Sequence, residues 1–362
     1  LSGIGDGSFD GGYSGYTPFF FQVVFAAAAV TIASGAMAGR TKITGYLIFS
    51  AVMTAFIYPV VVHMFWQGDG ILNRITVGDA AFSDFAGSSI VHSAGGWAAL
   101  MGAYFLGPRI GKYGKDGKPR AIPGHNIAFT VIGVFVLWFG WFGFNAGSEL
   151  AADSVVMRVG VTTMLSAAAG GFMACLVMWM KVGFFDVAMT ANGILAGLVS
   201  ITAGTGTMTP FGAVITGAIG GVIVVFSVLF FDRIRIDDPV GAISVHGICG
   251  VWGTLAIGLF AKWDDAFLGR DDAGLFYGGG FSQLVMQLIG VVIIAAWVLS
   301  TTGLLFFTLK KTNMLRVTPE EEIAGLDVSE HGSAGYGLET AFAGSFAGSG
   351  SPSKRAQSAG DS

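Results

Sequence analysis

The sequence contains two stretches that follow one pattern, DFAGSSIVHSAGG at residues 84–96 and DDPVGAISVHGICG at residues 237–250. In each, an aspartate stands eight residues before a histidine, which follows a valine and precedes small residues. Asp84 leads in this way to His92, and Asp238 leads to His246. Such a match between distant segments predicts two related structural units, each of which places a histidine in the same setting.

The composition of the chain is typical of a membrane protein. Its 362 residues are 53% hydrophobic and only 12% charged, and the mean hydropathy is +0.69, whereas soluble proteins contain about 25% charged residues. The net charge of −4 gives no reason to expect a nucleic-acid partner. Glycine is abundant, at 57 residues, and in a bilayer this favours close contacts between helices.

Nine segments are apolar enough to span a bilayer, which takes about 20 residues each. The predicted spans are 19–39, 43–66, 84–107, 127–147, 155–180, 187–207, 210–231, 240–261 and 281–309. The connections on one side of the predicted spans carry thirteen lysines and arginines, whereas those on the other side carry three. The side with the excess is the cytoplasmic side. We therefore expect a multi-pass protein of the cell membrane (plasma or inner), with its N-terminus outside and its C-terminus in the cytoplasm.

The two histidine segments open the third and eighth spans, which run in opposite directions. Matching sequence with opposite direction indicates an inverted repeat, whose substrate site lies near the midplane between the repeats. Eight helical residues rise about 12 Å, so a capping aspartate at each membrane edge would place its histidine near the middle. Asp84 and Asp238 are the predicted caps. Asp237 is assigned to the same capping role, and a cation site at Asp237 and Asp238 is the alternative. A single intramembrane histidine could simply pack, but two at equivalent positions, His92 and His246, favour a function.

The repeat also predicts that helices are missing upstream. Spans four to eight would form one unit of five, whereas only three spans precede that unit. We therefore expect the chain to lack the first two transmembrane helices of the complete arrangement. An inactive fragment is one alternative that follows from this expectation.

Several motifs, in order along the chain, resemble the ammonium transporter (Amt/Mep/Rh) family, most closely its Amt branch. The resemblance runs from about Phe19 to about Tyr336. It rests on FQVVFAAAAVTIASGAMAGR, HMFW, DFAGSSIVHSAGG, GWFGFNAGS, DDPVGAISVHGICGVWG and GLDVSEHGSAGY. It implies an all-α membrane protein, an inverted-repeat helical bundle with eleven spans in a complete member, nine of them visible here. It also implies a homotrimer.

The resemblance further implies an outer ammonium site. Trp66 of HMFW matches an indole that holds the cation, and Ser148 of FNAGS matches a hydroxyl that accepts a hydrogen bond from it. Phe25 and Phe144 match two stacked phenyl rings that form a gate below the site, and Phe25 or its neighbour Phe21 would face the vestibule. Aromatic faces attract a small cation by about 0.5–2 kcal/mol.

Below the gate, the resemblance implies a pore lined by His92 and His246, with Asp84 as a buried carboxylate near the outer site. Neutral histidines each offer one donor and one acceptor, so such a line can pass ammonia or relay a proton. The implied function is transport of ammonium, and of methylammonium as a second substrate: NH4+ is captured outside, deprotonated and passed along the pore. We expect no enzyme activity, no cofactor and no metal site.

The polar C-terminal part is predicted to be a separate unit. We divide the chain into a transmembrane domain, residues 1–316, and a cytoplasmic tail, residues 317–362, whose end is rich in Gly, Ser and Ala and is predicted to be disordered. The resemblance implies that PII-type regulators dock at this face. An ammonium sensor that signals through the tail is the alternative function. We favour transport, because dedicated sensors usually carry an appended signalling domain.

Overall fold

The computed structural model describes residues 15–262 and 273–336. Within these ranges the protein is mainly helical. The described residues form one compact unit that ends at Arg316 and a second that begins at Val317. The tail end that is predicted to be disordered lies outside the described residues.

Nine long helices follow one another in the described part of the first unit, and each coincides with a predicted span. They are α1 (Tyr16–Met37), α2 (Ile43–Phe65), α3 (88–106), α4 (Ile127–Ala146), α5 (Ser154–Val182), α6 (Val187–Thr202), α7 (Pro210–Arg233), α8 (Ile243–Phe260) and α9 (Ser282–Lys311). Seven of these helices are long and apolar enough to cross a membrane, and the other two are α3 and α6. Helix α6 has only 16 residues, and α3 opens with polar residues. The predicted all-α membrane fold is confirmed.

Short elements occupy some of the connections and the second unit. They are the 3-10 turns Ile71–Asn73, Gly147–Glu149 and Leu275–Tyr277, the strands β1 (Thr76–Val77) and β2 (Ala80–Ala81), and the helices α10 (Pro319–Ala324) and α11 (Leu326–His331). The two strands pair antiparallel and form a small hairpin between α2 and α3. This hairpin leads directly into the Asp84 segment and therefore borders the candidate site.

Helices α3 and α8 begin in the same unusual way. A glycine three residues after the capping aspartate has a left-handed backbone conformation, with φ of 111° at Gly87 and 80° at Gly241, which glycine adopts without strain. Each helix then opens with a π-helical turn, Ser88–Ser93 in α3 and Ile243–Ile248 in α8. The predicted uninterrupted helix from aspartate to histidine is therefore wrong. Both histidines lie instead within π turns, which are frequent at functional sites.

The carboxylates of Asp84 and Asp238 cap these two helices. Asp84 is fully buried and accepts hydrogen bonds of 2.8–3.0 Å from four successive backbone N–H groups, those of residues 87–90. Asp238 accepts bonds of 3.1 and 2.7 Å from the N–H groups of Gly241 and Ile243. Since the first N–H groups of a helix lack partners within it, a carboxylate here satisfies them and also matches the helix dipole.

Arginine side chains hold the connections around the C-terminal end of α3. Arg109 donates from Nε and Nη2 to the carboxylate of Asp237, at 2.8 and 2.9 Å. Arg40 is fully buried and donates to the backbone carbonyls of Gly107 and Asp237, while Arg316 donates to the two carbonyls that flank Gly107. Carbonyls at a helix C-terminus carry partial negative charge, so these cations stabilise it. Burial lowers the pKa of Arg40 to about 10, which leaves it charged at neutral pH.

Asp237 thus differs from its predicted role, because its carboxylate pairs with Arg109 and does not cap α8. Burial acts to raise the pKa of Asp237, but hydrogen bonds and charge from Arg109 outweigh burial and hold the pKa below its usual value. A signal for this pairing is absent from the local sequence, since the two residues are 128 positions apart. The pairing becomes visible only in the folded structure, where the connection that contains Arg109 contacts the connection that contains Asp237.

Asp237→Asn is expected to lower the free energy of unfolding by about 3 kcal/mol at neutral pH, because Arg109 loses its buried counter-ion. The folded-state pKa of Asp237 is depressed, so the wild-type advantage is present above about pH 4 and disappears as the pH falls through that folded pKa. Unfolding of both proteins in detergent, measured across this pH range, tests the expectation. Asp116→Asn in the neighbouring loop is the control, and equal stabilities at neutral pH would refute the assignment.

Helices α5, α6 and α7 approach one another closely through glycine. A Cβ atom on Gly170 would lie 2.4 Å from the carbonyl oxygen of Gly193, and one on Gly221 would lie 2.2 Å from the carbonyl oxygen of Gly170. Both distances are shorter than van der Waals contact, so any side chain at these positions would force the backbones apart. Part of the high glycine content therefore serves contacts between helices.

Candidate functional site

The two histidines meet inside the bundle. The Nδ1 atoms of His92 and His246 lie 3.2 Å apart, and their ring centroids are separated by 5.2 Å at an interplanar angle of 25°. A contact of this length between two ring nitrogens is a hydrogen bond in which one ring donates and the other accepts. The structure therefore brings the two matched segments together at their histidines.

Two glycines set the distance between the histidine helices. Gly96 and Gly250 each follow their histidine by four residues. A Cβ atom on Gly96 would lie 2.2 Å from the backbone nitrogen of Gly247, and one on Gly250 would lie 2.4 Å from the carbonyl oxygen of Ser88. Each half of the repeat thus presses a glycine against the backbone of the other half. This reciprocal contact holds the π turns, and with them the imidazole rings, against each other.

A continuous series of aromatic contacts connects the histidines to Trp66. The Trp66 ring meets Phe25 edge-on at 5.7 Å between centroids, and Phe25 and Phe144 lie 4.2 Å apart with an interplanar angle of 30°. Phe144 in turn lies 5.1 Å from His92. Phe21 packs against Phe25, with 4.6 Å between the two ring centroids. The residues predicted for the aromatic site, the gate and the pore therefore form one contact chain.

Trp141 also belongs to this group, and its role was not predicted from the sequence. Its ring stacks on His92 at 4.8 Å with an interplanar angle of 18°, and its Nε1 donates to the hydroxyl of Thr202 at 2.9 Å. A usable signal was present in GWFGF, because Trp141 precedes Phe144 by three residues and side chains three apart share a helix face. Stacking and this hydrogen bond fix the orientation of the His92 ring.

Trp66 and Ser148 are both held by backbone carbonyls. The indole Nε1 of Trp66 donates to the carbonyl oxygen of Asp84 at 3.0 Å, so the ring is attached to the segment that caps α3. The Ser148 hydroxyl donates to the carbonyl oxygen of Phe144 at 2.7 Å. Since that bond uses the only hydroxyl hydrogen, the lone pairs of Ser148 remain available as acceptors.

Half-buried and buried residues alternate along this series. Trp66 and Phe144 are half-buried, whereas Phe25 is 1% exposed and His92 is 3% exposed. The Nε2 atom of His92 is buried and has no hydrogen-bond partner among the described residues. In the same part of the chain, we find no group of His, Cys, Asp and Glu residues that could hold a metal ion. The arrangement can hold a small cation on aromatic faces and offers a neutral hydrogen-bonding surface beyond them.

The described helices form a multi-pass bundle in which a histidine pair adjoins an aromatic cluster, and seven of them are long and apolar enough for the class of helical membrane proteins. The chain belongs to the ammonium transporter family: residues 5–336 match the sequence model described as Ammonium Transporter Family. This match confirms the resemblance inferred from the motifs.

The chain is similar to curated proteins named ammonium transporters and to a solved Amt structure. It is 46% identical over 327 residues to ammonium transporter Amt2 of Archaeoglobus fulgidus, covering 88% of this chain and 69% of the relative. It is 38% identical over 345 residues to ammonium transporter 1 member 2 of Arabidopsis thaliana, covering 89% and 67%. Among solved structures, "Sensor Amt Protein" superimposes with a TM-score of 0.81 at 39% identity, covering 88% of this chain and 77% of that one. The relatives with "transporter" in their names support transport rather than catalysis.

Proposed function

We propose that this chain captures ammonium at Trp66, Phe25 and Ser148, where NH4+ transfers one proton to a water molecule on the outer side, and that the resulting ammonia passes along His92 and His246. One observation carries the proposal: ring contacts run without a gap from Trp66 to the histidine pair. Family membership supplies the substrate class.

Capture depends on a fixed aromatic surface. The bond from its Nε1 to the Asp84 carbonyl holds the Trp66 ring in one orientation, and Phe25 supplies a second ring beside it. Together they attract a small cation by about 0.5–2 kcal/mol for each cation–π contact. The free lone pairs of Ser148 accept a hydrogen bond from an N–H group of ammonium. An alkali ion has no N–H group and cannot form this hydrogen bond. This combination favours ammonium over sodium or potassium.

Passage depends on the loss of charge. With centroids only 4.2 Å apart, the rings of Phe25 and Phe144 exclude a hydrated ion, and a bare charge is costly in such surroundings. Ammonia carries no charge and forms hydrogen bonds with either tautomer of histidine. Because the two Nδ1 atoms share one hydrogen, one ring presents Nε2 as a donor and the other presents it as an acceptor. The buried Nε2 of His92 has no hydrogen-bond partner among residues 15–262 and 273–336, and it is the atom that ammonia would contact first after Phe144.

The proposal also includes the location, orientation, oligomeric state and regulatory partner of the protein. The distribution of lysine and arginine supports a cell-membrane protein with its N-terminus outside and its C-terminus in the cytoplasm. A homotrimer, and docking of a PII-type regulator at the cytoplasmic face, are inferred from membership of the family. The residues after 316 are the proposed cytoplasmic tail.

Uptake of methylammonium by liposomes that contain the full-length protein tests this function. Wild type is expected to take up the substrate with saturation, and His92→Ala combined with His246→Ala is expected to change the flux or its selectivity against potassium. His63→Ala is the matched control, because His63 lies on the exposed surface, 60% accessible, and its nearest ionic contact is Asp69 at 3.7 Å. Unchanged flux and selectivity in the double variant would contradict the role of the histidines.

Ammonium sensing is the second candidate, and its support is the similarity to the solved structure whose title is "Sensor Amt Protein". The two functions predict different results in the same liposomes. A transporter accumulates methylammonium, whereas a sensor without transport binds it at Trp66 and shows no flux. Flux that depends on Trp66 would favour transport.

A further inference from the structure

Gln287, the sixth residue of the 30-residue helix α9, forms hydrogen bonds with a distant segment through both ends of its side-chain amide. Its Oε1 accepts a hydrogen bond from the backbone nitrogen of Ser83 at 2.8 Å. Its Nε2 donates to the carbonyl oxygen of Ser83 at 2.5 Å and to that of Thr254 at 3.1 Å. The side chain is fully buried. An amide that bonds both polar groups of one residue fixes the position of that backbone in two directions.

Ser83 is the residue directly before Asp84, and Asp84 serves two parts of the proposed site. Its carboxylate caps α3, which carries His92, and its backbone carbonyl accepts the hydrogen bond from the indole of Trp66. A displacement of Ser83 would therefore move the acceptor on which the orientation of Trp66 depends. Gln287 therefore acts on the proposed ammonium site indirectly, through Ser83, and does not itself contact the substrate.

A second buried glutamine supports the first. Gln283, one turn earlier in α9, is 1% exposed, and its Nε2 donates to Oε1 of Gln287 at 3.1 Å and to the carbonyl oxygen of Ala81 at 2.9 Å. Ala81 belongs to strand β2, which leads into Ser83. Polar side chains within membrane-spanning helices are costly and usually serve a function. Two of them, both bonded to one non-helical segment, indicate that its position matters.

The other half of the repeat holds the equivalent residue by different chemistry. Asp237 precedes its capping aspartate as Ser83 does, and it is held by Arg40 and Arg109. Both halves therefore anchor the residue before the cap from another element. The anchor is ionic in one half and a neutral amide next to the aromatic site in the other. Because a fixed positive charge there would repel ammonium, a neutral anchor suits a segment that borders a cation site.

We propose that Gln287 is a positioning residue for ammonium capture: it fixes Ser83 and Asp84, and thereby the orientation of the Trp66 indole. This inference rests on the proposed function and names a residue that determines the affinity of the same site. It requires that Gln287 and Trp66 both act through Ser83 and Asp84. Their substitutions must therefore have non-additive effects on the free energy of substrate binding.

A double-mutant cycle on uptake by the full-length protein tests this coupling. Gln287→Leu is expected to raise the half-saturation concentration for methylammonium about fivefold, the size expected for the loss of one hydrogen bond, with less change in the maximal rate. Trp66→Phe retains a ring but lacks the indole N–H and is expected to cause a similar rise. The double variant is expected to resemble Trp66→Phe alone. Thr302→Val is the control, since Thr302 is equally buried in α9 and its hydroxyl, within the described part of the chain, donates to the carbonyl oxygen of Val298 in the same helix.

Each outcome decides between the alternatives. If the two increases multiply in the double variant, or if Gln287→Leu leaves the half-saturation concentration unchanged, the inference is overturned while the transport function stands. If wild type shows no uptake, both fall. Should Gln287→Leu not fold, Gln283→Leu removes the supporting amide and is expected to cause a smaller rise that is absent in the Trp66→Phe background. A rise that persists in that background would overturn the inference.

Discussion

Asp84→Ala is expected to abolish uptake and to reduce sharply the amount of folded protein. Four backbone N–H groups at the start of α3 lose their acceptor, and the site is fully buried, so bulk water does not reach these groups. Each unsatisfied group costs about 1–3 kcal/mol. The sum, at least about 4 kcal/mol, is a large part of the 5–15 kcal/mol that stabilises a typical protein.

Two further variants show whether the effect of Asp84→Ala comes from the lost carboxylate. Asp84→Asn retains one carbonyl oxygen and should give an intermediate result, since it can accept from part of the same N–H groups. Asp69→Ala is the matched control, because that carboxylate is 64% exposed. Thermal unfolding in detergent and uptake in liposomes measure the two effects. An Asp84→Ala protein that unfolds at the wild-type temperature would show that the cap contributes little.

Gly96→Ala is expected to separate the two histidine helices and to reduce uptake about tenfold or more, even where the variant folds. The added methyl carbon would lie 2.2 Å from the nitrogen and 2.4 Å from the Cα of Gly247, and both are backbone atoms that cannot rotate away. Overpacking of this kind costs about 1–3 kcal/mol. This cost falls on the arrangement in which the two histidines touch, and it lowers the population of that arrangement relative to a separated one about tenfold, since 1.4 kcal/mol is a factor of ten. The helices relieve the clash by moving apart, which lengthens the contact between His92 and His246.

Gly303→Ala is the control for Gly96→Ala. At Gly303 the nearest atom to an added Cβ is the Sδ of Met101 at 3.5 Å, an ordinary contact. Wild-type uptake is expected from this variant. Normal uptake by Gly96→Ala as well would mean that the histidine contact tolerates a wider spacing than the structure shows.

The helices and the histidine pair could be predicted because their signals are local. Apolar runs of about 20 residues mark spans directly, and His92 and His246 carry similar neighbours. The resemblance of HMFW and FNAGS to family motifs gave Trp66, Phe144 and Ser148. The π turns were not predicted, because sequence periodicity does not distinguish one wide turn within a helix.

The anchors of the site could not be predicted for another reason. Gln287 and Ser83 are 204 residues apart, and Arg40 and Asp237 are 197 apart. Single buried polar residues in apolar segments fit many partners, and only the packed bundle selects one. Trp141 is the intermediate case, since its spacing from Phe144 was visible but its stacking on a histidine was not.

The π turns also limit which changes in chain length the protein can accept. Successive residues of an α-helix are rotated by about 100° around its axis. Loss of one residue from Ser88–Ser93 would therefore turn His92 towards a different neighbour while Asp84 stayed in place. Between each capping aspartate and its histidine, the number of residues is constrained more strictly than their identity, so insertions and deletions there should be far more harmful than most substitutions.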